Sequence, residues 1–397
     1  MSVLNIKQLR SETLGTEHVN HLNNAGASLI PDPVHHKVLE YLEKERSLGG
    51  YEVADQCHME LENCYSYVGG IVGSEPHNIA FTENATASFS LALSSITLSS
   101  NDVILTSTND YASNQIMYLS LVERFGVRLV RIEDDPEGTV DLNHLEKLLH
   151  RLRPKLVAIS HIPTSSGMVQ PIKAVGNLCR QYDSLYLVDA CQSVGQMPID
   201  VKEIQCDFLS ASGRKFLRGP RGTGFLFIAD RILDMGFKPL FPDLRGADWI
   251  SENRYQPVPD ARRFENWEFP YSLILGLGYA AKYAFELGIE NIHERSWNLA
   301  NKTRDLLSDC PRISLLDLGI QKSAIVTVAL EGKDAAEISG SLRKMAINTS
   351  VCTKYSAIID FDKRNIDSAL RISPHYFNTD EEIEELASVL SGLLGQS

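Results

Sequence analysis

Residues Asp207–Ile228 read DFLSASGRKFLRGPRGTGFLFI. The runs DFLSAS and TGFLFI have the length and apolar character of buried strands. Between them stands one lysine, Lys215, followed by Gly219, Gly222 and Gly224 in quick succession. Glycine lets a backbone turn sharply and approach a bulky group closely. A lysine that is partly desolvated and flanked by a cation, here Arg214, loses its proton more readily and can attack a carbonyl. The plainer alternative for any lone lysine is a solvated loop position. The neighbouring segments decide between the two.

Upstream the chain alternates strand-like and helix-like runs. NIAFTENAT is a strand entering a turn, and DVILTS, KLVAISHIP and SLYLVDA are apolar runs of strand length. LNHLEKLLHRL and IKAVGNLCRQY have helical spacing. Strands apolar on both faces and separated by helices predict an α/β fold with a doubly wound, parallel sheet. Ligands bind at the carboxyl ends of such strands. This large domain is expected over residues 20–260, behind an N-terminal segment, 1–19, that packs on the smaller domain. Past residue 260 the pattern changes. SLILGLGYAAKYAFELG is a long helix, AIVTVAL a strand, AAEISGSLRKM a helix and SALRISPHYF a strand. TDEEIEELASVLSGLL is an amphipathic helix with Thr379 as its N-cap. Residues 261–397 are therefore expected to form a smaller α+β domain.

Composition narrows the function classes. The 397 residues are 43% hydrophobic, as in an ordinary globular protein. The formal net charge of −13 and the lack of a basic block argue against nucleic-acid or anionic-membrane partners. There is no signal-peptide pattern and no apolar run long enough to span a bilayer. The seven cysteines form no C-x-x-C pair, and the histidines are scattered. Reduced thiols in a cytoplasmic protein without a metal site are the expectation.

The strand ends carry the candidate chemistry. In FTENATASFSLAL, Asn84, Ala85 and Thr86 stand where a strand becomes a helix, and exposed N–H groups there suit a phosphate. In LTSTNDYASNQ, Tyr111 could stack on a planar ligand, with Asn114 close behind. In SHIPTSSGMVQPI, Thr164 offers a hydroxyl at the mouth of the sheet. In LYLVDACQSVGQMPIDV, Asp189 ends an apolar strand and must be paired or hydrogen-bonded to stay ionised, with Gln192 three residues on. Singly, each has a plainer reading: Thr86 as an N-cap, Tyr111 as cover for the sheet edge, Asp189 as a cap. Together, a phosphate turn, a stacking aromatic, a carboxylate and a lysine meet the needs of pyridoxal 5′-phosphate (PLP).

The motifs VDACQSVGQMPIDV and DFLSASGRK resemble the class V aminotransferase family of fold type I PLP enzymes, which includes cysteine desulfurases. The resemblance runs from HLNNAGAS to RISPHYFNTDEEIEEL. It implies a mainly parallel, seven-stranded type of sheet between helices and a homodimer with the active site at its interface. It further implies that Lys215 holds PLP, that Asp189 pairs with the pyridine nitrogen, and that Gln192 and Thr164 meet the ring hydroxyl. Ala85, Thr86 and Ser212 would hold the phosphate. Tyr111 falls where desulfurases stack a histidine on the ring. Arg371, in ALRISPHYFNT, matches the arginine that binds the substrate carboxylate, with Asn24 beside it. Without the resemblance, Arg371 is a strand-end arginine of the kind that more often forms a surface ion pair.

The sequence departs from the desulfurase pattern in three places. Arg214 replaces the histidine before the lysine, and the resemblance makes it a charged phosphate ligand. Trp267 and Glu268, in ARRFENWEFP, replace a Gly-Thr pair that contacts the partner's phosphate. Cys352, in INTSVCTKYSA, is the nearest candidate for the sulfur-carrying cysteine but is displaced along the chain. SGRKFLRGPRGTGFL with RRFENWE is similar to a narrower branch, that of the ergothioneine-pathway C–S lyase acting on hercynylcysteine sulfoxide and of isopenicillin N epimerase-like proteins. The expected function is thus a carbon–sulfur β-lyase acting on a cysteine S-conjugate or its sulfoxide, releasing pyruvate and ammonia. The alternatives are an aminotransferase, an epimerase or a cysteine desulfurase. Trp249, Tyr255 and Trp267 would form either a substrate-selecting wall or plain interface core.

Overall fold

A computed structural model describes residues 4–395. Residues 1–3 of the expected N-terminal segment and 396–397 of the expected smaller domain lie outside the described residues. The central sheet has seven strands: β1 (Ile79–Thr82), β2 (Val103–Thr106), β3 (Arg128–Arg131), β4 (Leu156–Ser160), β5 (Leu185–Asp189), β6 (Phe208–Ser212) and β7 (Gly224–Ile228). Their spatial order is β1-β7-β6-β5-β4-β2-β3. Strand β7 runs antiparallel to β1 and β6, and the remaining pairs are parallel. All strands but β3 are wholly buried.

Alternate residues enter separate cores. Val157 and Ile159 join one cluster, Leu156 and Ala158 the other. This is the period-two geometry of a strand covered on both faces, and it explains the unbroken apolar runs. Strand β3 was not read from the sequence. Its RLVR has two apolar residues between exposed arginines, as befits an edge strand.

A second, antiparallel sheet has the order β8-β9-β11-β10, with β8 Ile313–Leu315, β9 Val326–Leu330, β10 Ser350–Thr353 and β11 Ser368–Ile372. Helices Ile289–Ser308, Ala335–Lys344 and Asp380–Gly395 share its core. The last helix opens with a reciprocal cap. Thr379 Oγ1 accepts from the Glu382 N–H at 3.2 Å, and Glu382 Oε2 accepts from the Thr379 N–H at 3.1 Å.

Helix Tyr271–Leu287, which the sequence reading puts in the smaller domain, packs on helices Asp32–Leu48 and His58–Val72 within the first core. Its small residues allow this: a Cβ on Gly278 would stand 2.3 Å from Cys64 Sγ. The N-terminal segment is sewn to the C-terminal part. Asn20–His21 pairs with Ile347–Asn348, and Arg10 forms a 2.8 Å ion pair with Glu382. A hairpin, Ala247–Ser251 with Arg254–Pro257, carries Trp249 and Tyr255 exposed on the surface. No helix among the described residues is long and apolar enough to cross a membrane.

Candidate active site

A cavity of about 450 Å³ opens at the carboxyl ends of the parallel strands. From β1 it takes Asn84, Ala85 and Thr86; from β2, Tyr111 and Asn114; from β4, Ser160 and Thr164. From β5 it takes Asp189, Cys191 and Gln192; from β6, Ser212, Arg214 and Lys215. The nine residues that the resemblance assigns to the cofactor thus line one space, with Asn84 and Asn114 beside them. Arg371 and Asn24 do not line it.

The phosphate-type end is the start of helix Ala85–Ser95. Asn84 caps it, its Oδ1 accepting from the Ala87 N–H at 2.9 Å, and the Ala85 N–H donates to Ser212 Oγ at 3.1 Å. A Cβ on Gly224 would stand 2.6 Å from the Asn84 carbonyl carbon. That glycine lets β7 pass beside the turn, which accounts for part of the glycine pattern after Lys215. Arg221 also lines this cavity and was not singled out from the sequence.

At the other end Asp189 is buried, with Oδ1 accepting from the Cys191 N–H at 2.9 Å and Oδ2 from the Asn114 amide at 3.0 Å. Burial pushes its carboxyl above the ordinary aspartate range. The Cys191 N–H, the Lys215 charge and the Asn114 amide oppose this. Asp110 sits behind, accepting from Ser160 Oγ at 2.5 Å and from Asn114 at 3.0 Å, and its charge further raises the Asp189 pKa. Asn114 therefore holds two carboxylates, a role for which its sequence position gave only proximity to Tyr111.

Gln192 donates to Thr164 Oγ1 at 3.1 Å and to the Ala25 carbonyl at 3.2 Å. Its Oε1 is buried with no hydrogen-bond partner among the described residues. Thr164 Oγ1 also accepts from Arg371 Nη1 at 2.6 Å, so Arg371 stands directly behind the cavity wall. Its Nε is held by Ser350 Oγ at 2.9 Å. Asn24 is fully buried, with its amide donating to the Ser373 carbonyl at 2.7 Å and its oxygen accepting from Ser28 at 2.6 Å. The asparagine thus braces the loop whose Ala25 and Gly26 carbonyls accept from Gln192 and Arg214.

Arg214 reaches Gly26 rather than the helix N-terminus. Burial lowers its pKa, and the charges of Arg221 and Arg371 lower it further. Cys352 is 3% exposed, and its thiol donates to the Thr164 carbonyl at 3.4 Å. Burial raises that thiol's pKa against the pull of Arg371. Cys191, unremarked in the sequence, is the cysteine that lines the cavity.

A buried orphan acceptor on Gln192, a buried carboxylate, a lysine amine and a helix N-terminus suit a planar cofactor with a phosphate at one edge and a ring nitrogen at the other. The model of the class-V aminotransferase family matches residues 20–386. The chain belongs to that family. A probable cysteine desulfurase of Pyrococcus abyssi is 27% identical over 98% of this chain and 97% of its own length. The structure of a cysteine desulfurase from Thermococcus onnurineus superposes with a TM-score of 0.92 at 25% identity, covering 100% of both chains. A C-DES mutant with glycine covalently linked to PLP shares the fold, with a TM-score of 0.86 at 18% identity over 96% of this chain and 98% of its own.

The chain has the fold type I architecture and is a PLP-dependent enzyme. The comparisons correct one expectation. Relatives matching along the whole chain are named cysteine desulfurases, which overturns the reading of a β-lyase acting on cysteine conjugates or their sulfoxides. The motif run behind that reading, SGRKFLRGPRGTGFL, builds the lysine turn and the cavity wall around it, positions that any enzyme of this fold needs whatever its substrate.

Proposed function

We propose that the chain breaks the Cβ–S bond of L-cysteine, as a cysteine desulfurase does. The observation that carries this is the alignment of Lys215, Asp189 and, behind Thr164, Arg371 along one cavity. Bound there, PLP supplies an electron sink for the carbon bearing the substrate amine. Lys215 would hold the cofactor aldehyde, and its amine, once freed by the substrate, would move the α-proton. Asp189 holds a proton on the ring nitrogen, and Gln192 with Thr164 faces the ring hydroxyl. Tyr111, which lines the cavity, would cover one ring face. Ala85, Thr86 and Ser212 bind the phosphate, with Arg214 and Arg221 adding positive charge. Arg371 takes the substrate carboxylate in exchange for its bond to Thr164, while Asn24 keeps the neighbouring loop in place.

The overall balance is L-cysteine plus a thiol giving alanine plus a persulfide. Cys352 is buried, does not line the cavity and is held by the Thr164 carbonyl in its wall, so the acceptor proposed here is a thiol from solution. A second copy of the chain is the proposed cover for exposed Phe241, Trp249 and Trp267. The testing experiment mixes PLP-loaded protein, L-cysteine and excess thiol, then measures alanine, pyruvate and released sulfur. Alanine in step with sulfur is expected. Pyruvate without alanine would sink the proposal.

The carboxylate clamp is tested separately. Arg371→Ala is expected to raise KM for L-cysteine roughly 10–100-fold, the loss of a charge-assisted pair, with kcat changed far less. An unchanged KM would remove Arg371 from the substrate site.

A further inference from the structure

We propose that Arg218 is the positioning residue that sets where the Lys215 amine stands, by clamping the turn from Lys215 to Arg218 onto two distant parts of the chain. The inference rests on the reading of Lys215 as cofactor anchor.

The Arg218 N–H donates to the Lys215 carbonyl at 2.9 Å, closing a four-residue turn. Arg218 sits at φ +62°, in the left-handed region. A residue with a Cβ pays about 1–2 kcal/mol there, and glycine is the ordinary occupant. An arginine at that position is explained by what its side chain does.

That side chain is 1% exposed. Nε donates to the Leu29 carbonyl at 2.8 Å, Nη1 to Tyr376 Oη at 2.6 Å, and Nη2 to Thr13 Oγ1 at 2.8 Å. The guanidinium lies 5.1 Å from the Tyr376 ring centre and 4.4 Å from that of Phe377. Among the described residues no carboxylate forms an ion pair with it. Burying a charge without a counter-ion is costly, so the hydrogen bonds and ring faces must all be in place.

Its partners lie apart in the chain. Thr13 belongs to the N-terminal segment, Leu29 precedes helix Asp32–Leu48, and Tyr376 follows β11. The same turn is held a second time, since His375 Nε2 is 2.7 Å from the Phe216 carbonyl. Strand β11 also carries Arg371. The turn with the amine and the guanidinium assigned to the substrate carboxylate are therefore tied to one short link. Releasing the turn would let the Lys215 amine shift although none of the clamping residues, Thr13, Arg218 and Tyr376, lines the cavity. Misplacement of that kind reduces the chemical step more than it reduces binding.

The test uses PLP-loaded Tyr376→Phe, Thr13→Val and Arg218→Lys proteins. Borohydride reduction first shows whether the cofactor is fixed on Lys215. Thermal stability, the pH titration of the lysine-linked absorbance and steady-state kinetics on L-cysteine then follow. The two mild variants are expected to fold, to shift the titration midpoint by about half a pH unit and to lower kcat about tenfold, with KM nearly unchanged. Lower melting temperatures with wild-type titration and kcat would make Arg218 a stability clamp only, and the proposal would be wrong. Failure of borohydride to label Lys215 in the wild type would overturn the anchor reading itself. If Arg218→Lys does not fold, the two mild variants still decide.

Discussion

Replacing Lys215 with alanine is expected to lower turnover of L-cysteine by about 10³-fold or more, while the protein keeps its fold. Lys215 is 8% exposed and is the lysine that lines the cavity. Its charge reaches Asp189, yet its amine makes no ion pair among the described residues that its removal would break. The packing around it rests on neighbours instead. Gly195, at φ +91°, lets the segment after Asp189 lie against the turn, where a Cβ would come 2.4 Å from the Leu217 nitrogen. Arg218 and Phe216 anchor the turn from the other side. Alanine at 215 should therefore shift the melting temperature by only a few degrees. Borohydride reduction of the wild type should fix cofactor on the peptide containing Lys215, and the variant should show no such label. Label at another lysine, or turnover within tenfold of wild type, would show that a different amine does the work.

The sheet was legible because its strands are buried on both faces. In LYLVDA and TGFLFI every side chain meets a core, so no polar alternation interrupts the run. The site was legible for the same reason: Asp189 and Lys215 are polar residues at the ends of such runs. Where burial is one-sided the signal fades. Strand β3, with RLVR at the sheet edge, and the exposed hairpin carrying Trp249 gave no such run. Roles defined by distant partners were also out of reach, even where the residue itself, Asn114 or Asn24, was named. Asn114 matters through Asp189, Arg218 through Thr13 and Tyr376, and Asn24 through Ser373. Arg221 and Cys191 line the cavity through short-range placement that a pattern of residue types does not encode. The substrate was misread at the same level. The run from Ser212 to Leu226, taken with RRFENWE, looked like a specificity signature, yet its glycines serve turns and close approaches, as at Gly213, where a Cβ would stand 2.4 Å from Thr223 Oγ1.

Asp189→Asn should have the second-largest effect, a fall in kcat of about 10²–10³-fold, the size expected when a preorganised charge facing the reacting system is removed. The native carboxylate has two oxygens and two firm donors, the Cys191 N–H and the Asn114 amide. An asparagine keeps one oxygen for them and turns an NH₂ toward the other. Asn114 can answer by flipping, but its amide also donates to Asp110, so the flip places its oxygen beside a carboxylate. One buried polar contact is lost in either arrangement, at about 1–3 kcal/mol. The neutral amide also cannot keep a proton on the ring nitrogen, which removes the charge that draws electrons from the substrate carbon. Burial already pushes the Asp189 carboxyl up, so a cationic ring partner is what favours its ionised form. The variant should retain cofactor on Lys215 after borohydride treatment, with a shifted absorbance and with KM for L-cysteine changed much less than kcat. Measuring kcat at several pH values separates the two contributions: loss of ring protonation depresses it across the range, whereas a disturbed hydrogen bond alone costs only stability. A variant turning over within threefold of wild type, with its absorbance unchanged, would remove Asp189 from the ring nitrogen and leave it as a brace for Asn114 and Cys191.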